Sequence, residues 1–434
     1  MKSIVKTLSI IVLILAGMSV FGYLVLQSSE KGAGGSVNSI IREFVSFPDK
    51  VTEVLVSNEV RNIPPTFGMK YYFDPINNLE RDIYGLNSSF IQDSNHWEVD
   101  LFNFKTDSIL HTWELTSDRF KAKSRHFPNA EPRNCILLPS RELILGQDET
   151  TNLYRLDKNS NIVWERHDLQ IHHSMNLDAD SNIVICATEP LKIQKLTDNE
   201  PLYYEDELIV KISAKSGEIV YTKSVSDLLN ENGLRSLIYG FCGEVSATNL
   251  HDPLHLNDIQ PVLSDGPYWR KNDLFLSFRH ISMVILYRPS TNKVIRMIFG
   301  PFLRQHDVDI LSDSVISIFN NEGTSIGRKS WDEDFSSRPV KDSIFYSNIV
   351  QYNFADSSFS TQLKHHFDDH KIYSETQGFH EYLSDGSVYV ENHGAGIVFF
   401  MNKEEILYKS QLNNWIEDWV ERPHWIRIYE NVDF

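Results

Sequence analysis

From about residue 85 onward, apolar and polar positions alternate in short runs, and the runs recur. Six segments can be laid side by side: 97–115, 152–168, 208–225, 283–300, 348–366 and 396–412. Each has two arms of alternating apolar residues around a polar tip. Side chains on a strand point to opposite faces in turn, so the pattern predicts a β-hairpin. A second strand is entered ahead of most hairpins through a Leu-x-Asp turn. Examples are Leu177-Asp178-Ala179-Asp180, Leu263-Ser264-Asp265-Gly266, Leu311-Ser312-Asp313 and Leu383-Ser384-Asp385-Gly386. Segment 134–143 fits the same slot. Asp bonds its own backbone in such turns, and Gly accepts positive φ. Two hairpin-like elements make a four-stranded unit that cannot bury both faces alone. Radial stacking of such units gives a propeller, and six hairpins give six blades. The long polar stretches near 187–207, 222–250 and 324–346 read as loops between strands.

The N-terminus follows another pattern. Lys2 and Lys6 precede an apolar run over residues 7–26, long enough at 1.5 Å per residue to cross about 30 Å of hydrocarbon. The positive flank favours an N-terminus left in the cytoplasm and a body outside it. A cleaved signal peptide would export the same body. The expected organisation is an anchor or signal over 1–27 and a linker and extension over 28–84, with a short helix within 38–57. An all-β, six-bladed propeller follows over 85–434.

Aromatic residues make up 12% of the chain, which suits strands. The net charge of −18 repels phosphate backbones and argues against a nucleic-acid partner. Cys135, Cys186 and Cys242 allow at most one internal disulfide and form no Cys-x-x-Cys pair.

Candidate chemistry gathers where innermost strands begin. Four are entered through histidine: His172-His173, His255, His306 and His380. Strand alternation would turn only one of His172 and His173 to the channel. In the alternating run 273–280, Arg279 falls opposite the apolar face or at the strand's end, and it offers a planar fork of donors for anionic oxygens. His365, His366 and His370 read as part of a solvated loop. Three function classes fit these residues. They are group transfer to a histidine nucleophile, metal chemistry on His173, His255, His306 and His380, and non-catalytic binding of a glycan or protein. A quinone-dependent dehydrogenase fits less well, because the regular Trp-docking repeat is missing.

Several segments resemble the arylsulfate sulfotransferase family, whose members are six-bladed propellers. These are His172-His173, 252–258 (DPLHLND), 276–282 (LSFRHIS), Gln305-His306-Asp307 and 318–323 (IFNNEG), in the family's order. The resemblance spans about residues 85 to 410. It implies that His306 is the transiently sulfated nucleophile. It implies that His255, Asn257 and Arg279 hold the sulfuryl oxygens, with His173 also in contact. It further implies an aryl sulfate donor and a phenolic or other hydroxyl acceptor, with no metal or cofactor. Two positions depart from the family pattern: 319–323 (FNNEG) replaces Phe-Asp-Asn-Gly, and Pro253-Leu254 replaces the aromatic before the first central His. His380 has no counterpart, and the family's N-terminal β-domain is reduced to what 38–84 can supply.

Overall fold

The computed structural model describes residues 67–69, 71–91, 94–120, 131–197, 200–240, 252–323, 345–413 and 419–433. The apolar run 7–26, the linker, the helix expected within 38–57 and Cys242 lie outside them. Among the described residues no helix is long and apolar enough to cross a membrane.

The described strands form six antiparallel sheets, five of them built on four consecutive strands. Blade 2 holds Pro132–Leu137, Leu143–Gln147, Leu153–Leu156 and Ile162–Arg166. Blade 3 holds Gln170–Leu177, Asn182–Thr197, Glu200–Ser213 and Ile219–Ser224. Blade 4 holds Leu256–Pro261, Leu274–Phe278, Met283–Arg288 and Lys293–Ile298. Blade 5 holds His306–Ile310, Val315–Asn320, Asn348–Asn353 and Ser358–Gln362. Blade 6 holds His380–Tyr382, Val388–Asn392, Ile397–Met401 and Ile406–Asn413. Blade 1 is composite. Tyr84–Ile91, His96–Asn103 and Ser108–Leu115 take their innermost strand, Arg427–Tyr429, from the other end of the chain. That exchange closes the ring.

All six predicted hairpins are the third and fourth strands of their blades, and the Leu-x-Asp turns join first to second strands. In the first of those turns Asp178 Oδ1 accepts the Asp180 and Asn182 N–H groups, both at 2.9 Å. The alternating burial of His96–Asn103 shows what the pattern encodes. Trp97, Val99 and Leu101 pack with Leu143, Leu145 and Tyr154 between blades 1 and 2.

Three loop expectations are corrected. Segment 187–207 is not a loop: the second and third strands of blade 3 run on as a paired ribbon, with Lys195 opposite Pro201. Backbone pairing satisfies a polar stretch as well as water does. Segment 222–250 contains a helix, Val225–Glu231, whose N-cap Ser224 Oγ accepts the Asp227 N–H at 3.0 Å. His366 is buried on a helix, Lys364–Asp369, and its ring bonds the Asn402 carbonyl at 2.9 Å. Phe67–Met69 and Ile76–Asn77, within the expected extension, add strands to the blade 6 sheet.

The channel end of the ring is irregular in a regular way. The innermost strands of blades 2 to 5 each shift register near their start. Positive φ falls at Asn134, His173, His255, Asp307, Gln377 and Trp425, one at the entry of each blade. A bulge frees a backbone N–H from the ladder, and a buried N–H needs another acceptor. Carboxylates from the preceding blade supply it. Asp148 Oδ1 accepts His173 N–H (2.9 Å), and Glu207 Oε1 accepts Leu256 N–H (3.0 Å). Asp258 Oδ2 accepts Val308 N–H, and Asp307 Oδ2 accepts His380 N–H, both at 2.9 Å. Glu391 takes Ile426 N–H at 2.6 Å and Trp425 N–H at 3.0 Å, anchoring the strand that closes the ring. Burial raises Glu391 to about 7.

Glu391→Ala would orphan two buried amides at the closure, at about 1–3 kcal/mol each. A loss of about 2–6 kcal/mol in denaturant unfolding is expected. Glu391→Gln keeps one acceptor oxygen and should lose less.

Candidate active site

The bulged entries place polar side chains where extended strands would not. At blade 3 the bulge puts both His172 and His173 inside, with ring centroids 5.1 Å apart. The expectation that only one faces inward is therefore corrected: His173 sits at φ 55°, which breaks the alternation. The His173 ring lies 4.8 Å from His255 and 6.0 Å from His306. His255 in turn stacks on His280 at 4.6 Å.

His306 opens the innermost strand of blade 5 and is 1% exposed. Its Nδ1 lies 2.8 Å from Asn321 Oδ1. The Asn321 amide cannot turn round, because Nδ2 donates to the Ser374 and Gln377 carbonyls at 2.8 and 2.6 Å. Oδ1 is thus an acceptor, Nδ1 carries the proton, and Nε2 holds the lone pair. The Gln377 N–H donates to that Nε2 at 3.2 Å. Gly378 makes this loop possible: its φ is +95°, and a Cβ would fall 2.3 Å from Phe319 Cε1. Burial, then the Arg279 charge, hold His306 well below the ordinary histidine range, with His255 and His393 adding to the effect.

Arg279 follows Leu274–Phe278 directly, at the strand end, and is buried. Its N–H donates to the His255 carbonyl at 3.0 Å. His255 Nδ1 lies 2.5 Å from Asp252 Oδ2, and its N–H donates to Oδ1 at 2.9 Å. Burial would raise Asp252, but His255, His280 and His172 pull it well below the carboxylate range. Asn257 is wholly buried and donates through Nδ2 to the Gln305 carbonyl at 2.7 Å, next to His306.

His380 does not join this group. Its Nδ1 bonds Asp307 Oδ2 at 2.5 Å and its Nε2 bonds Ser317 Oγ at 2.8 Å. The four-histidine metal set is therefore not assembled. By spacing, two other trios could hold a cation: Asp252, His255 and His280, and Asp307, Asp309 and His380. The bonds already made within each engage the nitrogens a metal would need, and Arg279 charges the first neighbourhood.

Other residues complete the site without having been singled out in the sequence. His393, from the loop after Val388–Asn392, bonds the Pro423 carbonyl at 2.8 Å. Burial, then Arg133 and Arg422, lower it to about 3. His424 packs on it at 4.8 Å. His424 enters the innermost strand of blade 1 as the other histidines enter theirs, so the same positional signal existed at the C-terminal end of the chain. Asn321 lay in a segment that carries the family resemblance and departs from the family pattern, but it was given no role of its own.

The arylsulfotransferase (ASST) family model matches residues 134–409. The chain belongs to this family. The family carries sulfotransferase-type function in a propeller fold. No curated protein matches. Among solved structures, a protein of unknown function from Bacteroides caccae aligns at 9% identity and TM-score 0.45, covering 76% of this chain and 93% of its own. Virginiamycin B lyase from Staphylococcus aureus aligns at 9% identity and TM-score 0.35, covering 65% of this chain and 71% of its own. A streptogramin B lyase aligns at 12% identity and TM-score 0.38, with 80% and 88% covered. At these scores the likenesses bear on neither activity nor substrate.

In ¹⁵N-histidine NMR, His306 should remain a neutral Nδ1–H tautomer from pH 5 to pH 9. Asn321→Asp exchanges the pinned amide for a carboxylate beside Nδ1 and should raise the His306 titration into that window.

Proposed function

We propose that this ASST-family propeller moves a sulfuryl group from an aryl sulfate to a phenolic or other hydroxyl acceptor through a sulfohistidine on His306. The observation that carries the reading is the His306 tautomer. A neutral imidazole whose proton is fixed on Nδ1 presents its lone pair at Nε2, as a nucleophile requires. The Gln377 N–H on Nε2 is long enough to give way to an incoming sulfur.

Sulfuryl transfer, like phosphoryl transfer, spreads charge over three non-bridging oxygens and depends on fixed donors around them. Arg279 and His255 are such donors beside His306, and both are held in place by Asp252 or by backbone bonds. Asn257 positions Gln305 and hence the start of the His306 strand. In the first half-reaction Nε2 of His306 bonds to sulfur and the S–O bond to the aryl group breaks. Nδ1–H stays on Asn321 Oδ1, so the sulfated ring is cationic and offsets the sulfuryl charge. In the second half-reaction the acceptor oxygen displaces Nε2. His255 and His173 divide the remaining tasks, protonation of the departing phenolate and binding of the sulfuryl oxygens.

Incubation with 4-nitrophenyl sulfate and phenol should release nitrophenol and form phenyl sulfate. Intact mass after a quench with donor alone should show one sulfuryl adduct on the wild type and none on His306→Ala, whose turnover should fall by at least about 10³-fold. Full transfer by His306→Ala would remove the nucleophile assignment.

A further inference from the structure

Behind His173 lies a chain of buried groups that the nucleophile does not need. Glu207, on the third strand of blade 3, is 2% exposed. Its Oε2 lies 2.9 Å from His172 Nε2, and His172 Nδ1 lies 2.9 Å from His173 Nδ1. Glu207 Oε1 already accepts the Leu256 N–H. Burial raises Glu207, but two donors on one carboxylate oppose that rise and the carboxylates raise His172 further, to about 9, so the proton at the first contact is assigned to His172 Nε2. Two facing Nδ1 atoms at hydrogen-bond distance need one proton between them. That proton has two homes. On His172 it makes an imidazolium beside Glu207 and leaves His173 neutral, with its proton on Nε2. On His173 it leaves His172 neutral and turns His173 Nε2 into a lone pair.

We propose that Glu207, His172 and His173 form a proton relay, with His173 as the general acid and base for the aryl and acceptor oxygens and His172 as the proton store. The relay rests on the sulfuryl-transfer reading of the site. It divides the two tasks left open above: His255, tied to Asp252, is the fixed donor to the sulfuryl oxygens.

The balance closes. In the first half-reaction His173 Nε2–H passes to the departing phenolate as the S–O bond breaks, and the His172 Nδ1 proton moves to His173 Nδ1. Phenol leaves, and both imidazoles are neutral. In the second half-reaction the acceptor hydroxyl gives its proton to His173 Nε2 as its oxygen bonds to sulfur and the His306 N–S bond breaks. The His173 Nδ1 proton returns to His172. No oxidant, metal or further reactant is required.

The surroundings favour this direction of travel. Burial opposes a resident positive charge on His173, and His255, His172, His306 and Arg133 oppose it further. Asp148 is the one carboxylate bonded to His173, and it is engaged with the His173 N–H and with Arg133. His172 faces Glu207, Asp148 and Asp252. Burial alone would lower it, but these carboxylates raise it to about 9. Positive charge is therefore stored one ring away from the sulfuryl group and next to its counter-ion.

The test compares wild type with Glu207→Gln and His172→Gln across aryl sulfates whose phenols range from acidic nitrophenols to phenol itself. A relay predicts that both variants lose at least about tenfold in kcat/KM with phenyl sulfate and change little with nitrophenyl sulfates. Leaving-group dependence thus steepens, and the wild-type rate with phenyl sulfate falls as pH rises through about 9. An equal loss with every donor would mean a merely structural role and overturn the relay. Nitrogen-15 histidine NMR of the resting protein separates this from failure of the wider reading. His172 should be an imidazolium at pH 7.5 in wild type and neutral in Glu207→Gln. If it is neutral in both, or charged in both, the relay is wrong even in an active enzyme. If wild type transfers nothing from any aryl sulfate, the relay falls with the sulfotransferase reading.

Discussion

The ring is held at its channel end by one repeated contact: a buried carboxylate on one blade accepts a backbone N–H from the entry of the next. Asp148, Glu207, Asp258, Asp307 and Glu391 do this at successive interfaces. At blades 3, 4 and 5 the contact accompanies a bulge in the innermost strand. A bulged entry cannot complete its ladder, and the freed amide is too deep for water. An ionised or partly protonated carboxylate is costly to bury, but leaving the amide unpaired is costly too. Each group offsets the burial cost of the other. Apolar packing between blades then supplies the bulk of the stabilisation, and these bonds set how the first strands meet.

The same device builds the site. Positive φ at His173 and His255 turns side chains towards the axis that an unbroken strand would have divided between its two faces. The stitching carboxylates then face imidazoles. Glu207 binds the Leu256 amide with one oxygen and His172 with the other. Asp307 takes both the amide and the ring of His380, which draws that histidine out of the group around His306. Structural and chemical roles are therefore not separable at these positions, and a change at Glu207 touches both a blade interface and a proton.

The number of blades was legible because it rests on period-two alternation and on Asp-rich turns, both local in sequence. So was the meeting of the strand entries: the His173 ring lies 4.8 Å from His255 and 6.0 Å from His306, as their positions imply. What escaped was non-local. The pairing of 187–207 looks polar and loop-like in sequence, yet it is a ribbon because its two halves satisfy each other's backbone. His172 was set against His173 by a rule of strand alternation that holds only where no bulge intervenes. Asn321 has no signal of its own, because its function depends on two carbonyls, of Ser374 and Gln377, that lie more than fifty residues away. His393 and His424 meet only when the last strand returns to the first blade.

An acidic chain proposed to handle an anionic substrate poses an electrostatic question, and the site answers it locally. The net charge of −18 is a property of the whole molecule. Around His306, burial first and then the Arg279 guanidinium, with the nearby His255 and His393 rings, depress its affinity for a proton. On the proposed sulfuryl-transfer reading, the same potential that keeps His306 neutral would attract a sulfuryl anion, so one arrangement would serve both nucleophile and binding site. The carboxylates that could cancel this field are each committed: Asp252 to His255, Asp148 to Arg133 and a backbone amide, and Glu207 to His172 and another amide. Negative charge is thus held one ring away from His306, beside His172 and His255.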